Sequence, residues 1–168
     1  VNSVVLISCG TFDPAARERM RTVREEGTDD SVRPRLDGLP EEFPNINDRL
    51  RALGTIMEQL DSYDTVPIDE DDQAVDAAAN QETWQDMVQL QEQGVYPGAF
   101  TAIHEPVIML HGAYDSHPGR MIRASLEPHL PQLGYREWER CGHHPWREKA
   151  ARDEFIVVLR DWLASHSP

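Results

Sequence analysis

The sequence has a single lysine, Lys149, and no base of either kind between Ala52 and Gly119. Thirteen acids, from Glu58 to Asp115, occupy that stretch. The whole chain carries sixteen bases against thirty acids, a formal charge of −14, so the rest of it is close to neutral. A basic stripe able to neutralise a row of phosphates is missing, and nucleic acid is excluded as an expected partner. Long apolar runs are missing too. None approaches the roughly 18 residues of a bilayer span, so no membrane partner is expected. No basic leader precedes an apolar region, so no secretory signal is visible. Cysteine is scarce: Cys9 and Cys141 could pair only if the fold joined them, and two reduced thiols in a cytoplasmic protein are expected.

Metal templates are also lacking. His111, His117, Cys141, His143 and His144 have no zinc-site spacing, and Asp69 to Asp72 lacks the turn glycine of a calcium loop. Neither metal nor cofactor is expected. No internal repeat occurs. What remains is a polar globular chain of 168 residues with mean hydropathy −0.58. That length suits one domain with a small insertion. Because residue 1 is Val1, an earlier segment or a processed tag is expected before it.

The organising stretch is Pro106 to Asp115, Pro-Val-Ile-Met-Leu-His-Gly-Ala-Tyr-Asp. Val107 to Leu110 form a short unbroken apolar run, the pattern of a parallel strand buried on both faces. Asp115 follows the closing glycine by three residues. In open parallel sheets, chemistry gathers beyond the carboxyl ends of the strands. A second strand is expected at Tyr135 to Arg140, with Tyr135, Glu137 and Glu139 on one side and Trp138 on the other, suiting an edge. Cys141-Gly142-His143 follows it. An acid after one strand and a histidine after the next make the back half of a catalytic triad.

Upstream, Asn2 to Ser8 reads as a buried strand. Asp13-Pro14 reads as a helix cap and first turn, with Ala16, Met20 and Val23 inward and Gly27 as the stop. Residues 28 to 45, with prolines at 34, 40 and 44, suggest no regular element. Ile46, Leu50, Leu53, Met57 and Leu60 lie on one face of an amphipathic helix. Asp61 to Ala79 is expected as an acidic loop with a short helical turn. Asn80 is the expected cap of a further helix that carries Trp84, Met87 and Val88 and closes at Gly94. A helix from Pro118 to Leu130 and a terminal helix from Lys149, bearing Phe155, Val158, Leu159, Trp162 and Leu163, complete the reading. The fold class is therefore α/β: a parallel sheet with helices on both faces and a helical insertion. Residues 1–27 and 95–168 form the core, and 28–94 the insertion, far longer than ordinary α/β loops.

This order of elements resembles the C-terminal half of the α/β-hydrolase fold. Leu110-His-Gly-Ala-Tyr-Asp115 and Cys141-Gly-His-His-Pro-Trp146 are similar to segments of its proline iminopeptidase-like branch of serine hydrolases. The resemblance implies that Asp115 is the triad acid, His143 the triad base, and 28–94 a cap over the active site. It implies hydrolysis of an ester or amide in a small molecule or peptide, such as release of an N-terminal residue. Triad order on that fold is serine, acid, histidine, and the last two stand here in that order. Asp13 is a rival for the acid, since some relatives place it after the earlier strand, though capping explains it. His144 is expected to make a surface or cap contact. Trp84, Met87 and Tyr96 read as lid core, with a possible share in lining the substrate pocket.

The nucleophile is absent: no serine lies in a Gly-x-Ser-x-Gly turn, and Ser116 is too near the acid in sequence to be positioned separately. The resemblance implies that the nucleophile elbow and oxyanion-hole loop lie before Val1. Three arrangements follow. The chain is part of a longer hydrolase and meets its N-terminal half; or it is a truncated form that pairs as a homodimer through the strand at 2–8; or it is a non-catalytic binding module.

Overall fold

The computed structural model describes residues 2–67 and 74–167. The acidic run Asp69 to Asp72 lies outside the described residues. Three parallel strands, β1 (Val4–Ile7), β2 (Val107–Gly112) and β3 (Leu133–Trp138), form a sheet in sequence order. Val4 faces Val107 and Ile7 faces Leu110, while Val107 faces Leu133 and Gly112 faces Trp138. The α/β class and sequential strand order are as read from the sequence.

β2 is central among these strands, and its alternation divides the core. Val107 and Met109 pack with Ile122, Leu126 and Leu130 on one face. Leu110 packs with Trp138, Cys141, Ala151 and Phe155 on the other. Helices therefore cover both faces, α5 (Gly119–Leu126) on the first and α6 (Arg152–Ser165) on the second. Each fully buried Leu, Ile or Phe contributes about 1.5–3 kcal/mol, enough to fix which side of β2 each helix occupies.

α1 (Pro14–Gly27) starts where expected: the Asp13 carboxylate accepts the Ala16 N–H at 2.9 Å, and Ala16 and Met20 are buried. Residues 28–94 depart from expectation at two places. The stretch read as irregular contains α2 (Arg33–Glu42). Pro34 lies in its first turn, where a missing N–H removes no helical bond, and Pro40 lies near its end. Burial of Leu39 outweighs the second proline. α4 (Ala77–Glu92) is capped by Asp76 and not by Asn80: the Asp76 side chain accepts from Ala78 and Ala79 at 3.0 Å. Three alanines directly after an aspartate favour the earlier start. Gly94, at φ 71°, ends that segment.

α3 (Ile46–Leu60) matches the periodicity, yet Ile56 is its buried residue while Ile46, at the first position, is 59% exposed. Trp84, read as lid core, is 53% exposed. α4 instead keeps Met87, Val88 and Leu90 half-buried. Two further bounds move. α5 stops at Leu126: Glu127 keeps helical backbone, but Pro128 has no N–H to continue the ladder, and Leu130 is buried from the following turn. β3 begins at Leu133, two residues early, because Leu133 and Gly134 still pair with Val107 and Ile108. No helix among the described residues is long and apolar enough to cross a membrane.

Candidate functional site

The loops after β2 and β3 meet beyond the carboxyl edge of the sheet. The Ala113 N–H donates to Trp138 O and the Tyr114 N–H to Cys141 O, both at 2.9 Å, so the two loops are joined by backbone. Two glycines permit this. A Cβ on Gly112 would strike the carbonyls of Cys141 and Gly142, and one on Gly142 would strike the Asp61 carbonyl.

Asp115, 6% exposed, lies at the junction. Its Oδ2 stands 2.8 Å from His143 Nδ1 and its Oδ1 2.8 Å from His117 Nδ1. Oδ1 also accepts the His117 backbone N–H at 2.9 Å, an Asx-turn. His111 Nε2 is 3.5 Å from Oδ2 and 2.9 Å from the His117 carbonyl oxygen. Burial pushes the Asp115 carboxyl up, but the hydrogen bonds from His117 and His143 outweigh it and hold the acid well below its usual range. An ionised carboxylate only accepts, so both histidines must donate from Nδ1.

For His143, burial favours the neutral ring, but the hydrogen bond and charge of Asp115, aided by Asp61, raise its pKa above the ordinary imidazole value. Among the described residues its Nε2 makes no hydrogen bond, and the side chain is 28% exposed. His143 is thus a tautomer-fixed imidazole with its second nitrogen open. No described serine hydroxyl bonds to it. Ser116 Oγ, buried, instead accepts from Arg24 Nε at 3.0 Å.

Three supports behind the pair carry no motif. Arg24 Nη2 bonds to Asp61 Oδ2 at 2.7 Å, and the Asp61 carbonyl accepts the His143 N–H at 2.8 Å. The end of α3 therefore holds the backbone of His143, with α1 clamping behind it. Glu148, fully buried, accepts the N–H groups of Tyr63 at 2.9 Å and of Asp64 and Gly142 at 2.8 Å. Thr65 forms an antiparallel bridge to Glu148, and Arg147 pairs with Glu58. Apart from Gly142 and Glu148, which are six apart, these contacts join residues tens of positions apart, so local sequence patterns could not signal them. His117 was legible only as one more histidine near the acid.

The remaining sequence candidates lie elsewhere. Asp13 caps α1. His144 stacks edge-on against His143 and Trp146, at 4.9 and 5.0 Å between ring centroids, and burial lowers its pKa. Trp84 and Met87 stand on α4, and Tyr96 packs on Phe100. None of the three makes a hydrogen bond or ring contact with Asp115 or His143 among the described residues. A groove of about 490 Å³ lies between α2 and α3, with Leu39, Phe43, Arg51 and Ile56 in its lining, and it contains none of these candidates. Cys9 and Cys141 are free thiols, each pushed up to about 12, chiefly by burial.

Ligand atoms of Asp115, His117 and His143 lie within 4.8 Å of one another, the described set with the reach to hold a metal ion. In the present geometry both Nδ1 positions carry protons directed at the carboxylate. Chemically, a proton taken up at His143 Nε2 would be balanced by the negative charge of Asp115 held beside Nδ1.

No family model and no curated protein matches the sequence. Among solved structures, MenH from S. aureus, an α/β-hydrolase-fold enzyme, superposes with a TM-score of 0.50 at 15% identity over 100% of this chain. The chain spans 60% of the length of that protein. The likeness shows an α/β-hydrolase-like fold, present here in part.

Proposed function

We propose that Asp115 and His143 are the acid and base of a serine-hydrolase triad acting on esters or amides, with the serine supplied from outside these 168 residues. The observation that carries this reading is the 2.8 Å bond from His143 Nδ1 to a buried, ionised Asp115, with Nε2 left open. A serine hydroxyl is a weak nucleophile until a positioned base takes its proton, and this pair supplies that base. The imidazole then returns the proton to the leaving group. Oxyanion stabilisation, usually a large contribution, would come with the serine-bearing part. Residues 28–94 would act as the cap, with Trp84, Met87 and Tyr96 lining its inner side. The substrate would be a small ester or a peptide losing its N-terminal residue, as in proline iminopeptidase-like enzymes. Two free thiols suit a cytoplasmic setting.

A second reading is a non-catalytic module that pairs through β1. It is favoured by one feature: β1 is half-buried and, among the described strands, hydrogen-bonds only to β2. An apolar strand edge of this kind invites another chain. The test is titration with a serine-reactive phosphonate on protein whose intact and solution masses are both measured. Stoichiometric labelling, abolished by His143→Ala, supports the hydrolase reading. An unlabelled dimer of about twice 19.1 kDa supports the other.

A further inference from the structure

Asp115 is shared. Its two oxygens serve two imidazoles in the same way: Oδ2 faces His143 Nδ1 and Oδ1 faces His117 Nδ1, each at 2.8 Å. The rings lie 4.9 Å apart and tilted by 33°. His117 is held in place independently of His143. Its backbone N–H is bonded to Asp115 Oδ1, and its carbonyl faces His111 Nε2 at the end of β2. A loop of three residues, Asp115-Ser116-His117, thus folds back so that its last ring grips its first carboxylate.

We propose that His117 is a positioning residue that divides the Asp115 carboxylate with His143, fixing its rotation and setting how strongly it holds the base. The inference rests on the acid–base reading of Asp115 and His143. A carboxylate has one unit of charge to distribute. Hydrogen bonds given to Oδ1 localise part of it there and leave less for the bond at Oδ2. The same bonds stop the carboxylate from turning about its Cβ–Cγ axis, so Oδ2 stays aimed at His143 Nδ1. Orientation and strength are therefore set by one neighbour. The arrangement moves no proton of its own: His117 keeps the Nδ1 proton that it donates.

Histidine NMR on the intact chain tests this without any turnover. Long-range ¹H–¹⁵N spectra of the unaltered protein at neutral pH should place the proton of both His117 and His143 on Nδ1. An Nε2–H tautomer at His117 overturns the proposal, with no variant needed. Next, His143 is titrated in His117→Leu, which has no donor, and in His117→Asn, whose side-chain amide can still reach Oδ1. The His143 midpoint should move to higher pH in His117→Leu and return towards the original value in His117→Asn. The other groups around His143 stay the same: His111, His144 and Glu148 from the adjoining strand end and its own loop, Arg24 from α1, and Asp61 from the end of α3. A His143 midpoint that stays put or falls in His117→Leu overturns the proposal, as does His117→Asn behaving like His117→Leu. Asp115→Asn separates the two levels of argument. If it leaves the His143 titration unchanged, the acid–base reading itself fails. If it shifts His143 while His117→Leu does not, only the role of His117 fails.

Discussion

Asp115 and Glu148 are buried carboxylates at the same edge of this sheet, and their surroundings could hardly differ more. Asp115 accepts from the rings of His117 and His143 together with one backbone N–H. Glu148 accepts only backbone N–H groups, from Tyr63, Asp64 and Gly142. Imidazoles can gain and lose protons near neutral pH, whereas peptide N–H groups cannot. The Asp115 bonds can therefore change during a reaction, and the Glu148 bonds serve to tie residues 63–64 to the histidine loop. Burial alone does not identify a functional acid. The nature of its donors does.

The sharpest test of this contrast exchanges the two sites. With the serine-bearing part present, Asp115→Asn should lower phosphonate labelling by about 10⁴-fold, because an amide favours the wrong tautomer of His143, while thermal unfolding changes little. A matching loss is expected for His143→Ala, with most labelling kept in His144→Ala; equal losses in the two would mean that the wrong histidine has been assigned. Glu148→Ala should do the reverse kind of damage. It strips the carboxylate partner from three backbone N–H groups, of which that of Gly142 is buried, and a loss on the order of 3 kcal/mol is expected by urea unfolding. If Glu148→Ala unfolds at the original denaturant midpoint, the division between the two carboxylates collapses.

The pH dependence of stability is a finer test. His111 has its pKa lowered, chiefly by burial, so it binds protons more weakly when folded. Its neutral burial disfavours the folded state as pH falls below the ordinary imidazole value of about 6.5. His143 has the opposite sign: its raised pKa adds stability that is fully present below that value and disappears as pH rises through the folded one. His143→Ala should therefore lose stability more steeply than the parent on acidification from pH 8 to 5. Parallel urea midpoints in the two proteins would contradict the Asp115–His143 bond as drawn. The smallest effect concerns a third carboxylate, Asp13, which binds a single helix N–H. Asp13→Ala should cost about 1 kcal/mol and leave labelling intact, which separates capping from its rival role as the acid.

Local chemistry made much of this legible in advance. Val4 to Ile7 and Val107 to Leu110 are strands because short β-branched and apolar runs suit a parallel sheet, although β1 is only half-buried, and Asp13-Pro14 starts a helix because a cap and a preset φ suffice. The spacing from Leu110 to Asp115 and from Cys141 to His143 located both ends of the 2.8 Å bond. These features depend on neighbours within a few residues. Tertiary structure decided the rest. It made α2 helical across two prolines by burying Leu39, moved the start of α4 to Asp76, and left Trp84 exposed. It also brought Arg24, Asp61 and Glu148 around the histidine loop and gave His117 the second oxygen of Asp115. Most of these contacts join residues far apart in the chain, although His117 lies only two residues from Asp115, and their free energy comes from burial and hydrogen-bond satisfaction that no short stretch can register alone. The sequence by itself determined which groups stand at the ends of these strands, and only the packed fold decided which partners hold them.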